Sequence, residues 1–308
     1  SALAMGNIDE QEAQRAVAKV WGGLRREDWL ATGELERVAR VVNPKGPVEV
    51  RSSNPRPDDP NDAVVVSLLW GPSTIESRVT LGLLGQILSV LAYNELRTSR
   101  QLGYIVSAGS SMVSNVQYIS ALVQGNVLKA DDVEAAIELV LLELMPRRLQ
   151  ELSSEELGSY VDSFQQELLQ PPLAPSEEVS QFWGPVRQGG QCFELRSEIL
   201  KYLNSTQLTR QRLVDVWAKI TTPSSGVRKK IAVKYFADKV PPPAKPEQAN
   251  VTWQAQGLSP ASVQLLLREK QQAQLFHKAD SVAREQLIEQ SGFFSQELSC
   301  NWQEPRAA

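Results

Sequence analysis

The chain has 308 residues, 42% of them hydrophobic and 22% charged, and a formal net charge of -4 at pH 7. That length buries one sizeable core, or one core with an appendage, in a globular class. Acidic and basic residues are interleaved in short groups, which argues against a nucleic-acid surface or any other polyanion partner.

Ala2-Leu-Ala-Met-Gly-Asn-Ile8 reads as the tail of a strand. From Asp9 a helix is expected, with Ala13, Val17, Val20, Trp21 and Leu24 on one face. Such a face needs a partner and offers a route to self-association. Residues 32–46 read as a connector, and Val48-Glu-Val-Arg51 opens the main domain. Ala63-Val-Val-Val-Ser-Leu-Leu-Trp70 is a continuous apolar run, expected as a strand in the middle of the sheet. Ser73-Thr-Ile-Glu76 reads as a capping box opening a helix to about Arg97. Leu81, Leu84, Leu88 and Leu91 form its stripe, and Gly82 and Gly85 allow close packing. Residues 104–109 and 116–125 then pair as a hairpin around a six-residue loop rather than a tight turn.

Residues 130–152 are helical in pattern, with Pro146 expected to kink or end the helix. Ser153-Ser-Glu-Glu156 is a second capping box, and Leu157, Val161, Phe164 and Leu168 continue its stripe to Gln170. Further helices are expected over 176–186, 193–204 and 209–220. In residues 227–236, Ile231, Val233 and Tyr235 alternate with Lys230 and Lys234, which predicts a strand whose lysine side faces water. Val240 to Pro246 reads as a stiff linker, Ser259-Pro260 begins a short helix, and residues from Lys278 on read as a solvated helix with a loose end. This order indicates an α+β fold, with helices on one face of a largely antiparallel sheet. No apolar run of membrane-span length and no signal-peptide pattern is read along it.

The junction at residues 93–109 carries the chemistry. Arg97 ends a helix and Tyr104 begins a strand, so a guanidinium and a phenol converge where the chain reverses. Both donate hydrogen bonds, as needed to hold a peptide carbonyl or its oxyanion. Spacing alone favours the structural reading, an arginine on helix C-terminal carbonyls and a tyrosine on a half-buried strand. The run Leu96-Arg-Thr-Ser-Arg-Gln-Leu-Gly-Tyr-Ile-Val106 resembles the C-terminal-half signature of the inverted zinc metalloproteases, the family of insulin-degrading enzyme, nardilysin and pitrilysin. The resemblance implies that residues 1–46 end a preceding domain, 47–240 form the C-terminal metalloprotease-family domain, and 241–308 are linker, helical extension and tail. It implies that Arg97 and Tyr104 contact the substrate beside the scissile bond and stabilise the tetrahedral intermediate. Gly103 would let the chain turn between them, and Gln101 would bond backbone at the junction.

The family's zinc site is His-x-x-Glu-His with a further glutamate. This sequence has one histidine, His277, with no second imidazole, so no metal ligand is assigned in this chain. The resemblance places zinc on a missing N-terminal half, which becomes the expected partner together with a peptide substrate. The chain alone is then expected to be inactive, a piece of a longer protease whose compartment stays open. Cys192 and Cys300 lack Cys-x-x-Cys spacing and read as free thiols. Glu155-Glu156 and Glu177-Glu178 each open a helix and suit its dipole. The rival reading is an inactive paralogue serving as a binding or scaffold domain.

Overall fold

The computed structural model describes residues 2–23, 41–187, 193–223, 228–277 and 281–294. Leu24, Cys192 and Cys300 lie outside the described residues. Six strands form the main sheet: β2 (Val48–Ser53), β3 (Asp62–Pro72), β4 (Ile105–Val113), β5 (Val116–Gly125), β6 (Lys230–Phe236) and β7 (Gln274–His277). Their order is β4-β5-β3-β6-β2-β7. From β4 to β6 every ladder is antiparallel, while β2 joins β6 and β7 in parallel. The fold is α+β, as read from the sequence. β3 lies in the middle of the sheet, with Val64, Val66 and Leu68 buried in the core.

The core helix α2 (Ile75–Ala92) runs directly into a wider, π-type turn over Tyr93–Ser99. Its cap falls one residue later than read. The Ser73 N–H donates to the Asn115 carbonyl at 2.8 Å, which ties Ser73 to the hairpin. Thr74 therefore caps the helix, exchanging hydrogen bonds with Ser77. Glu76 instead pairs with Arg212. The continuous segment Ile75–Ser99 is long and apolar enough to cross a membrane, which corrects the reading that no such run exists. Here 61% of its apolar window is buried, and Leu81, Leu84 and Leu88 sit in the core. Gly82 faces the Phe164 ring and Gly85 faces the Ser110 backbone, so both glycines serve packing.

The hairpin loop is tighter than expected. β4 and β5 pair as far as Val113 and Val116, leaving a two-residue turn of Ser114 and Asn115 at φ 42° and 63°. Asparagine accepts this left-handed backbone more readily than most residues, which lets the strands extend to the turn.

Pro146 does not end its helix. A π-type turn over Val140–Leu144 separates α3 (Ala130–Leu139) from α4 (Met145–Glu151), and the Met145 N–H reaches back five residues to the Val140 carbonyl. Proline then occupies the first turn of α4, where its missing N–H is tolerated. Next come α5 (Ser154–Leu169), capped by Ser153 and Glu156 as read, α6 (Pro175–Arg187), α7 (Leu195–Ser205) and α8 (Arg210–Thr221).

The lysine side of β6 reverses the expectation. Lys230 and Lys234 are only 6% and 1% exposed, beside fully buried Arg51 and Arg228. Facing them, α3 presents Asp131, Glu134 and Glu138 at spacings of three and four, one stripe of a helix. Lys234 pairs with Glu49, Asp131 and Glu134, and Lys230 with Glu134 and Glu138. Arg228 holds Glu138 through two bonds of 2.9 Å and also engages Glu269. Alternation identified the strand, but this face meets an acidic helix instead of water.

Glu269 belongs to α10 (Pro260–Gln272), which follows α9 (Pro246–Ala255). The sequence reading did not foresee α9. Its Ala249 and Trp253 join Val263 and Leu266 of α10 against Ala135, Leu139 and Leu142. Of the stretch read as a solvated helix with a loose end, residues 295–308 lie outside the described residues. After α11 (Ser281–Gln290), β8 (Gly292–Phe293) pairs with β1 (Val42–Asn43), and Phe294 packs on Leu69 and Val116. At the other end, α1 (Glu10–Gly23) has no buried residue, and Val20 and Trp21 are exposed.

Candidate functional site

The junction is built from its backbone outward. The Arg100 N–H bonds to the Glu95 carbonyl at 3.0 Å and the Leu102 N–H to the Leu96 carbonyl at 2.9 Å, which closes the helix. Gln101 then turns the chain at φ 54°. That left-handed step falls on Gln101, not on Gly103, correcting the role read for the glycine. Leu102 is buried in the core. Gly103 instead permits close approach: a Cβ there would lie 2.1 Å from the Gln124 carbonyl oxygen. Gln101 itself is exposed.

Tyr104 emerges beyond Gly103, 82% exposed. Arg97, on the π-type turn, donates through Nη1 to the Gly103 carbonyl at 3.1 Å. Its Cζ stands 5.1 Å from the centroid of the Tyr104 ring, within cation–π range. The structure thus brings Arg97, Gly103 and Tyr104 together. The phenol is left open to solvent while the guanidinium is fixed at its base. Alongside runs β4, the outer strand of the sheet, paired only with β5 among the described residues.

Arg100 was missed. It pairs with Glu95 at 2.6 Å and donates to Gln256 Oε1 at 2.6 Å. It ties the junction to the end of α9, 156 residues away. No local spacing signals such a contact.

Among the described residues no group of three or more His, Cys, Asp or Glu side chains could hold a metal ion. The one histidine of the sequence cannot make His-x-x-Glu-His. His277 lies in β7, its Cα paired with that of Arg51.

A family model described as PQQ synthase PqqF-like, C-terminal lobe domain 4, matches residues 83–183, a span that contains the whole junction. The likeness is to the C-terminal lobe of the inverted zinc proteases. Insulin-degrading enzyme-like 1, peroxisomal, of Arabidopsis thaliana is 23% identical over 180 residues, 58% of this chain and 18% of that protein. The chain thus spans about a fifth of that relative's length. The crystal structure of pitrilysin superposes with a TM-score of 0.62 at 20% identity, covering 95% of this chain and 27% of its own. A peptidase M16 inactive domain from Pseudomonas fluorescens gives 0.53 at 16% identity, covering 78% of this chain and 54% of its own. The shared fold therefore extends well beyond the matched segment.

Proposed function

We propose that this chain is the non-catalytic C-terminal domain of a zinc metalloendopeptidase that degrades peptides, with residues 47–240 as its metalloprotease-family unit. Arg97 and Tyr104 supply substrate contacts. The observation that carries this reading is the guanidinium stacked 5.1 Å from an exposed phenol beside the outer strand. Arg97 fixes the ring in place, and the Tyr104 hydroxyl donates to the scissile carbonyl as negative charge develops on it. Gly103 sets the distance between the two, and Gln101 sets the direction of the chain. The metal chemistry belongs to the N-terminal half, and no step of it is assigned to residues of this chain.

The test is peptide hydrolysis by this chain with zinc, alone and mixed with the separately expressed N-terminal half. Activity is expected only in the mixture. Tyr104→Phe should lower kcat by about 10²-fold, as loss of an oxyanion donor does. Zinc-dependent hydrolysis by this chain alone would sink the domain assignment. A mixture indifferent to Tyr104→Phe and Arg97→Ala returns both residues to a structural role.

The structural likeness to a protein described as an inactive domain favours a second reading, a peptide-binding or scaffold domain without turnover. It predicts a mixture that binds peptide through Arg97 and Tyr104 and cleaves nothing.

A further inference from the structure

A cavity of ≈ 410 Å³, lined from α2, β4, α5, α6 and α7, lies apart from the residues of the junction. Leu168, Phe193 and Ile199 make its apolar wall, and two guanidiniums, Arg78 and Arg196, line it. Among the described residues that line it there is no carboxylate. Arg196 donates through Nη2 to the Gln170 carbonyl at 2.8 Å, a neutral acceptor. Burial pushes the Arg78 guanidinium below its ordinary pKa, with no neighbouring carboxylate opposing the shift. A half-buried cation without a counter-ion is unfavourable, and a ligand that brings the negative charge removes the penalty. The volume falls within the range of small-ligand pockets, about 300–1,000 Å³.

We infer that this cavity binds the free C-terminus of a peptide whose last side chain is apolar. The carboxylate pairs with Arg78 and Arg196, since a guanidinium fork matches a carboxylate in plane and spacing. The terminal side chain packs on Leu168, Phe193 and Ile199. The choice of a peptide over other amphipathic carboxylates rests on the peptidase reading above; the cavity and its charge do not.

The probe is calorimetric titration of the full chain with acetyl-Ala-Leu-Phe bearing a free carboxylate, with the same peptide amidated, and with laurate. The free acid should bind at least about tenfold tighter than the amide, the gap expected of a charge-assisted pair. Arg78→Gln should erase that preference. Gly184→Phe acts without touching charge: Gly184 lines the cavity and a Cβ there meets nothing within 4 Å, so a ring is added at the cavity wall without a clash and should block binding. Gly158→Ala, outside the cavity lining and with nothing within 4 Å of its Cβ position, should leave the titration unchanged. Equal binding of acid and amide, or binding that survives Gly184→Phe, overturns the inference. Laurate binding tighter than the peptide overturns the choice of ligand and leaves the Arg97 and Tyr104 test untouched. Should Arg78→Gln lose its helical circular dichroism, Gly184→Phe decides.

Discussion

Gly103 and Gly125 abut so closely that neither has room for a side chain. A Cβ on Gly103 would lie 2.1 Å from the Gln124 carbonyl oxygen, and one on Gly125 would lie 2.5 Å from the Gly103 Cα. The clashing atoms are all backbone: β5 faces Gly103, and the Leu102–Gly103 segment leading into β4 faces Gly125. Gly103→Ala should therefore destabilise by about 1–3 kcal/mol, the usual cost of overpacking. Gly158→Ala is the contrast: it lies within α5 with nothing within 4 Å of its Cβ position. There alanine should add about 0.5–1 kcal/mol through helix propensity. Urea denaturation of the two variants measures both, and equal midpoints would refute the close-approach role.

The Ser114-Asn115 turn makes a separate demand. With Ser114 at φ 42°, a β-branched side chain meets its own backbone. Ser114→Val should lower stability by about 1–2 kcal/mol. Ser114→Asn should not lower it, because asparagine tolerates this region. A harmless valine, read by thermal melting, would mean that the turn relaxes to a longer loop.

The sequence made this part of the fold legible unevenly. Capping at Ser153 and Glu156 was readable because both partners lie within one turn of helix. The cap at Thr74 was misplaced because the Asn115 carbonyl, 42 positions away, engages the Ser73 N–H. Likewise the period of β6 was readable but its facing was not. Burial of Lys230 and Lys234 depends on the acidic stripe of α3 and on Glu269, and long-range pairing leaves no local trace. Arg97 and Tyr104 were legible as a pair because only six residues part them, and the reversal at Gln101 does the rest. Arg100 was not, since its partner Gln256 is distant.

That distant contact has a consequence for the C-terminal helices. Trp253 is buried against α3, and Gln256, three residues on, accepts from Arg100 at the junction. Trp253→Ala should cost about 3–5 kcal/mol through the cavity it leaves. It should also loosen α9, so the Leu102 amide, bonded to the Leu96 carbonyl, should exchange faster with deuterium. Loss of stability with unchanged exchange at Leu102 would show that α9 packs without supporting the junction.

Finally, the buried ionic layer fixes how stability varies with pH. Burial opposes ionisation of Glu134 and Glu138, but Lys230 acts on both, Lys234 on Glu134 and Arg228 on Glu138. Together they hold both carboxyls well below the ordinary 4.5. A folded-state value below the unfolded one stabilises above pH 4.5, and that contribution is lost as pH falls through the folded value. Burial likewise opposes the charge on Lys230 and Lys234, yet the surrounding carboxylates raise both above the ordinary 10.5. Their contribution is present below pH 10.5 and is lost as pH rises through the folded value. Stability should therefore be broadly flat from about pH 5 to 10 and fall on the acid side. Glu138→Leu leaves Arg228 and Lys230 each short of a partner and should cost about 3–5 kcal/mol at pH 7. Below pH 4.5 wild type progressively loses what Glu138 contributed, so the gap to the variant should narrow. Urea denaturation of both proteins at pH 7, 5, 4 and 3 measures that gap, and a constant difference would show that Glu138 is not held ionised by its neighbours.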